Sequence, residues 1–174
     1  LLTGRYPQRA GVPGNVSSHP GHQGMPTSQV TIAELLRGGG YRTGLVGKWH
    51  LGTVPECSPC GQGFDEFFGH KSGCIDNLSH FFYWVPPHFH DLFRNETEVY
   101  EDGEHFTLLM AREARRFLDE NRDRPFFLYL PFNIPHYPLQ PLPQFRKMYR
   151  IGDRSEGWER REYAAWVATM DYGI

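Results

Sequence analysis

Gly40-Tyr41-Arg42-Thr43-Gly44-Leu45-Val46-Gly47-Lys48-Trp49-His50-Leu51-Gly52 is the stretch whose reading decides the fold. It reads as a short buried strand running into a polar tip: Leu45 and Val46 supply β-propensity, and glycines bracket the segment. Side chains alternate across a strand, so Lys48 and His50 are expected on one side, with Trp49 and Leu51 on the other, facing packing. Gly47 and Gly52 let another backbone or a ligand approach closely. A compact ammonium beside an imidazole suits an anionic substrate, because the first binds oxyanions and the second also moves protons.

Working outward, the flanks alternate helix and strand. Residues 6–26 are rich in Gly, Pro, Ser and His without periodicity and read as loop. Thr31-Ile32-Ala33-Glu34 fits a capping box. It opens a helix whose apolar stripe is Ile32, Leu35 and Leu36, and Gly38-Gly39-Gly40 stops it. Downstream, Thr107 to Asn121 carries Met110, Ala114, Phe117 and Leu118 at helical spacing. Phe126-Phe127-Leu128-Tyr129-Leu130 is a continuous apolar run, expected of a strand buried on both faces of a parallel sheet. It ends in Phe132-Asn133-Ile134-Pro135-His136-Tyr137-Pro138, a loop stiffened by prolines. Glu159 to Met170 predicts a last helix, with Tyr163, Trp166, Val167 and Met170 on one stripe. The fold class is therefore α/β, with a mainly parallel sheet flanked by helices. Lys48, His50 and His136 each follow a buried strand, where open α/β sheets bind ligands.

Residues 53–105 break the alternation and read as a loop-rich, aromatic insert that covers the site as a lid. A hairpin is expected between Thr97 and Phe106, turning near Asp102-Gly103, and Asn95-Glu96-Thr97 is a glycosylation sequon. His70, His80, His88 and His90 lie in this insert, without the helical i, i+4 pairing or tight ligand spacing of a metal motif. Cys57-x-x-Cys60 raises a zinc or redox reading. A structural zinc site takes four ligands, and a redox motif belongs at a strand-to-helix junction. This pair sits in a Pro/Gly-rich loop, so Cys57, Cys60 and Cys74 are expected to be free loop thiols or to form one local disulfide.

With 174 residues the chain is long enough for one domain with a real core. The formal net charge of −2 gives no electrostatic basis for binding nucleic acid or an anionic membrane, and no apolar run has the length of a membrane span. The chain begins without Met, so it is expected to be an internal part of a longer protein, within a single catalytic domain.

Gly40 to Gly52 resembles the second signature of the sulfatase family, G-Y-x-T-x-x-x-G-K-W-H-L-G, at every fixed position. Leu1-Leu2-Thr3-Gly4-Arg5 resembles the tail of that family's first signature, C-x-P-S-R-x-x-L-L-T-G-R, and His136-Tyr137-Pro138 its third histidine region. The resemblance implies the alkaline-phosphatase-like α/β fold and hydrolysis of sulfate esters, either aryl sulfates or sulfated sugars. It implies a formylglycine nucleophile from a residue upstream of Leu1, Cys or Ser. It also implies a calcium ion whose ligands lie outside these residues, Asp171 not being one. Arg5 closes the first signature and is not assigned a catalytic part. Lys48 is implied to bridge sulfate and nucleophile, His50 to bond the formylglycine hydroxyl, and His136 to protonate the leaving oxygen. Asp76, Asn77 and His80 are candidates to contact the alcohol portion. The 174 residues alone are expected to be inactive. The whole protein is expected in a periplasmic, extracellular or lysosomal setting. Two alternatives stay open: a phosphomonoesterase or phosphodiesterase of the same superfamily, and a non-catalytic glycan binder using the aromatic insert as a stacking platform.

Overall fold

The computed structural model describes residues 1–152 and 155–174. Helix α1, Ile32–Gly38, opens with the expected capping box: Thr31 Oγ1 accepts from the Glu34 N–H, and Glu34 Oε2 from the Thr31 N–H. Its apolar stripe is not where periodicity put it. Ala33 is fully buried, whereas Ile32 and Leu35 are exposed. The reason is a close approach to the loop at Gly63, where a Cβ would stand 2.5 Å from the Glu34 nitrogen. Only the small Ala33 face fits that contact.

Strand β1, Arg42–Lys48, follows and lies inside the sheet. Strand β2, Glu66–His70, pairs with it in parallel, setting Lys48 opposite His70. The 53–105 segment is thus not only a covering insert, since it supplies a strand next to β1. Glu66 and Gly69 hide that strand in the sequence, and β-pairing on both sides overrides their weak propensity. A small antiparallel hairpin, β3 (Phe81–Phe82) with β4 (Phe89–His90), stands apart from the main sheet. Strands β5 (Phe93–Arg94) and β6 (Thr97–Glu98) extend the sheet antiparallel to β2. This hairpin turns at Asn95-Glu96, not at Asp102-Gly103. Asn95 tolerates the left-handed conformation there (φ 54°), and its Oδ1 accepts the Phe67 N–H at 2.8 Å.

Helix α2, Phe106–Asn121, packs through Phe106, Leu109, Met110, Ala114 and Phe117, while Leu118 is exposed. Strand β7, Phe126–Tyr129, pairs in parallel with β1 and is the edge of the sheet, whose order is β6-β5-β2-β1-β7. It is half-buried, not enclosed on both faces as its apolar run predicts. Helices α3, Pro143–Met148, and α4, Trp158–Gly173, complete the chain. In α4 the buried set is Ala165, Trp166, Thr169 and Gly173, and Tyr163 faces outward.

Alternation along β1 and β2 splits the core into two halves. Leu45 and Phe67 join Trp49, Phe64 and Ala33 on one sheet face, while Val46 and Phe68 join Phe106, Leu109 and Met110 on the other. Each fully buried Phe or Leu is worth roughly 1.5–3 kcal/mol relative to exposure. Gly44 lies under the Phe117 ring, where a Cβ would come within 2.6 Å, so β1 and α2 approach closely only because this position is Gly. Cys57, Cys60 and Cys74 are free thiols. Burial, with Glu96 nearby, pushes the Cys60 thiol up to about 11, which removes the thiolate that redox or metal chemistry needs.

Candidate active site

The polar tip of β1 is anchored on three sides. The Lys48 N–H donates to Pro131 O at 2.9 Å, Trp49 N–H to His70 O at 3.0 Å, and His50 N–H to Lys71 O at 3.2 Å. Trp49 turns into the core, and its Nε1–H donates to Cys57 O at 2.8 Å. Strand alternation does not continue to His50: its φ is +59°, a left-handed backbone uncommon for a side chain of this size. Such strain persists where the surroundings over-determine it, and it gathers at functional sites. Here the surroundings are specific. His50 Nε2–H donates to Val16 O at 3.0 Å, which leaves Nδ1 with the lone pair. Gly73 packs against the ring, where a Cβ would stand 2.6 Å from Cε1.

His50 and His136 line one cavity of about 370 Å³, with Ser18, Gly73, Cys74 and the aromatic wall of Phe82 and Trp84. His50 also borders a larger cavity of about 560 Å³ lined by Thr3, Arg5, Asn15 and Tyr129. Loop 6–26, read only as loop in the sequence, therefore contributes Val16 and Ser18 to the site. Ser18 Oγ accepts the Gly73 N–H at 2.9 Å and so ties that loop to the glycine behind His50.

His136 is held by its backbone more than by its ring. Its N–H donates to Asn133 O at 2.9 Å, and its carbonyl accepts the Trp166 Nε1–H at 3.0 Å. Nδ1–H donates to Tyr137 O at 2.9 Å, so proton exchange falls to Nε2. The Trp84 ring meets the imidazole edge-on at 6.3 Å.

Lys48 is half-buried and does not line the cavity. Its charge bears on Cys74 and His50, which line the cavity, and on His70. Burial lowers the Lys48 ammonium from its ordinary value, and the Cys74 thiol opposes that shift. Burial, then the Lys48 charge, lowers the His50 imidazole; the Val16 bond works against this, and His136 adds to it. Fully buried His70, 4.0 Å from Asp91, is driven well below its usual range by burial first and Lys48 second.

Asp76 and Asn77, expected with His80 to meet the substrate's alcohol portion, have polar atoms committed to the fold, as does Nε2 of His80. Asp76 Oδ1 accepts from the Leu78 and Ser79 N–H groups, and Oδ2 from Gln140 Nε2. Asn77 is fully buried; its Oδ1 accepts from Asn133 Nδ2 at 2.9 Å, and its N–H donates to Gln140. Through Asn133 and Gln140 these two residues clamp the loop that carries His136. Sequence reading misses this because the partners are 56 and 63 residues apart. His80 is also fully buried, with Nε2–H donating to Glu104 O.

Among the described residues, no carboxylate lines the cavity between His50 and His136. A calcium ion takes six to eight oxygen ligands, so the residues of this chain do not fit one there by themselves.

The sulfatase family model matches residues 1–174. Mouse "Arylsulfatase J" is 30% identical over 179 residues, covering 100% of this chain and 29% of that protein. Human "Arylsulfatase A" is 34% identical over 156 residues, covering 79% and 31% respectively. Among solved structures, Ps i-CgsB superposes with a TM-score of 0.83 at 33% identity, over 99% of this chain and 40% of that one. The same protein has been solved in complex with k-i-k-neocarrahexaose. The chain thus spans about a third of the length of the curated relatives it matches. Its GKWHLG tip, mainly parallel sheet and full-length match to the family model lead to one conclusion: this chain belongs to the sulfatase family.

Proposed function

We propose that the protein containing this chain hydrolyses sulfate esters of sugars, with Lys48, His50 and His136 acting on the ester group. The observation that carries the reading is the meeting of His50 and His136 on one cavity, with the Lys48 charge bearing on His50. The nucleophile is a formylglycine supplied from outside these residues, so the chain alone is inactive. Lys48 draws the sulfate oxygens by charge, and its low hydration in a half-buried position strengthens that attraction. His50, neutral at physiological pH, offers its Nδ1 lone pair to a hydroxyl of the nucleophile. His136 delivers a proton from Nε2 to the departing sugar oxygen while Tyr137 O holds Nδ1–H. Calcium, held by ligands outside these residues, would supply further charge stabilisation on the sulfate oxygens when bound.

The sugar preference is supported by the exposed Trp84 ring at the cavity, a flat surface for a pyranose face, and by the oligosaccharide complex of the relative Ps i-CgsB. The test is release of inorganic sulfate from a panel of sulfated oligosaccharides by the full-length protein. Sulfate release is expected, falling by roughly 10²–10³-fold in Lys48→Ala, in line with removal of one oxyanion contact. Faster release of phosphate from the matching phosphate esters would overturn the reading.

A further inference from the structure

Outside the cavity the molecule carries a second group of chemistry-bearing side chains. We propose that His80, His90 and Asp102 form a binding site for a divalent first-row transition metal, Zn²⁺ being the best match. One ligand atom from each lies within 4.8 Å of the other two. His80 precedes β3, His90 ends β4, and Asp102 lies on the turn before α2. The site therefore joins the small hairpin to the body of the domain.

The hydrogen bonds fix which nitrogens are offered. His80 Nε2–H donates to Glu104 O at 3.1 Å, and His90 Nδ1–H to Glu98 Oε1 at 2.9 Å. His80 Nδ1 and His90 Nε2 are then the lone-pair nitrogens. Both are buried without a hydrogen-bond partner among the described residues. Two orphaned acceptors in the interior are costly unless something binds them. A metal-bound histidine almost always donates its other N–H to a carboxylate or carbonyl, and this pair does both. His80 is fully buried and His90 is 9% exposed, so neither ring points to solvent. Tyr100 stacks on His90 at 4.4 Å and fixes the ring plane.

Two imidazoles and one carboxylate are a donor set for zinc and its neighbours, not for calcium or magnesium. Ligand atoms about 2.0–2.1 Å from zinc stand about 3.3 Å apart, so the cluster must contract slightly. Asp102 is exposed on a turn next to Gly103 and is the member free to close. Water completes the shell. The consequence is mechanical: the ion pins the hairpin whose Phe82 and Trp84 wall the candidate active site.

Co²⁺ titration of the full-length protein, stripped of metal by chelator and then returned to calcium, tests this. About one Co²⁺ per chain is expected, with ligand-field bands of tetrahedral strength and no thiolate charge-transfer band. Zn²⁺ should displace it. Glu98→Gln, which alters the carboxylate that accepts from His90 Nδ1–H and also neighbours Tyr100, should weaken binding by roughly 10–100-fold. Asp102→Asn, at an exposed position, should weaken it by at least about tenfold while circular dichroism stays native. Cys57→Ser/Cys60→Ser should leave binding unchanged. The proposal is overturned if Asp102→Asn and Glu98→Gln bind as tightly as the unmutated protein. A site that shows thiolate bands and vanishes in the cysteine variant overturns it equally.

Discussion

His50 illustrates how one side chain is aimed. Its left-handed backbone lifts it off the strand, Val16 O selects the tautomer, and Gly73 leaves room for the ring. Reading the sequence finds His50 from its place after a buried strand, but not this geometry, because Val16 and Gly73 come from distant loops. The Gly73 contact makes a prediction. In Gly73→Ala the new methyl would sit 2.6 Å from His50 Cε1, and the imidazole must swing away. Misplacing a reacting group by about 1 Å costs on the order of 10²-fold in rate. We therefore expect kcat for sulfate release to fall by roughly 10–10²-fold, while thermal unfolding shows a loss of only about 1 kcal/mol. Unchanged kcat would mean that the ring's position is not critical.

Elements explain what the sequence reveals and what it conceals. Strand β1 and helix α2 are legible because hydrophobic periodicity and breakers coincide with their ends. Strand β2 is not, because Glu66 and Gly69 break the apolar run, and its pairing with β1 and β5 is set by contacts far along the chain. Asp76 and Asn77 are legible as useful polar groups in the insert, yet their task is to brace the His136 loop. Asn77→Ala should leave the buried Asn133 amide without its acceptor, costing roughly 1–3 kcal/mol in urea unfolding. It should also lower kcat more than it raises KM, since the loop that presents His136 loses its brace. A rise in KM alone would return Asn77 to the role of substrate contact.

For the whole molecule, buried histidines set the acid limit of stability. Burial lowers His50, His70, His80 and His105 in the folded state, each with burial as the largest cause. The unfolded chain takes up protons on these rings at about pH 6.5, before the folded chain does. Protons bound preferentially to the unfolded state make stability fall as pH decreases. The depressed carboxyls of Glu66 and Glu113 lose their contribution only at lower pH, near the ordinary carboxylate range. Urea midpoints should therefore be level above about pH 7.5 and fall between about pH 6.5 and 5. A midpoint that rises over that interval would contradict the burial of neutral histidines.

For the whole molecule we propose that His50 and His136, which line the same cavity, serve one reaction. The most direct measurement is the single-turnover rate of sulfate release by full-length His136→Ala on two substrates. A nitrophenolate leaves without a proton, whereas a sugar alkoxide needs one, and general acid catalysis is worth roughly 10²–10⁴-fold. The account predicts a loss of that order on a sugar sulfate and little loss on nitrophenyl sulfate. Equal losses on both substrates would contradict it and make His136 a sulfate contact instead of the acid.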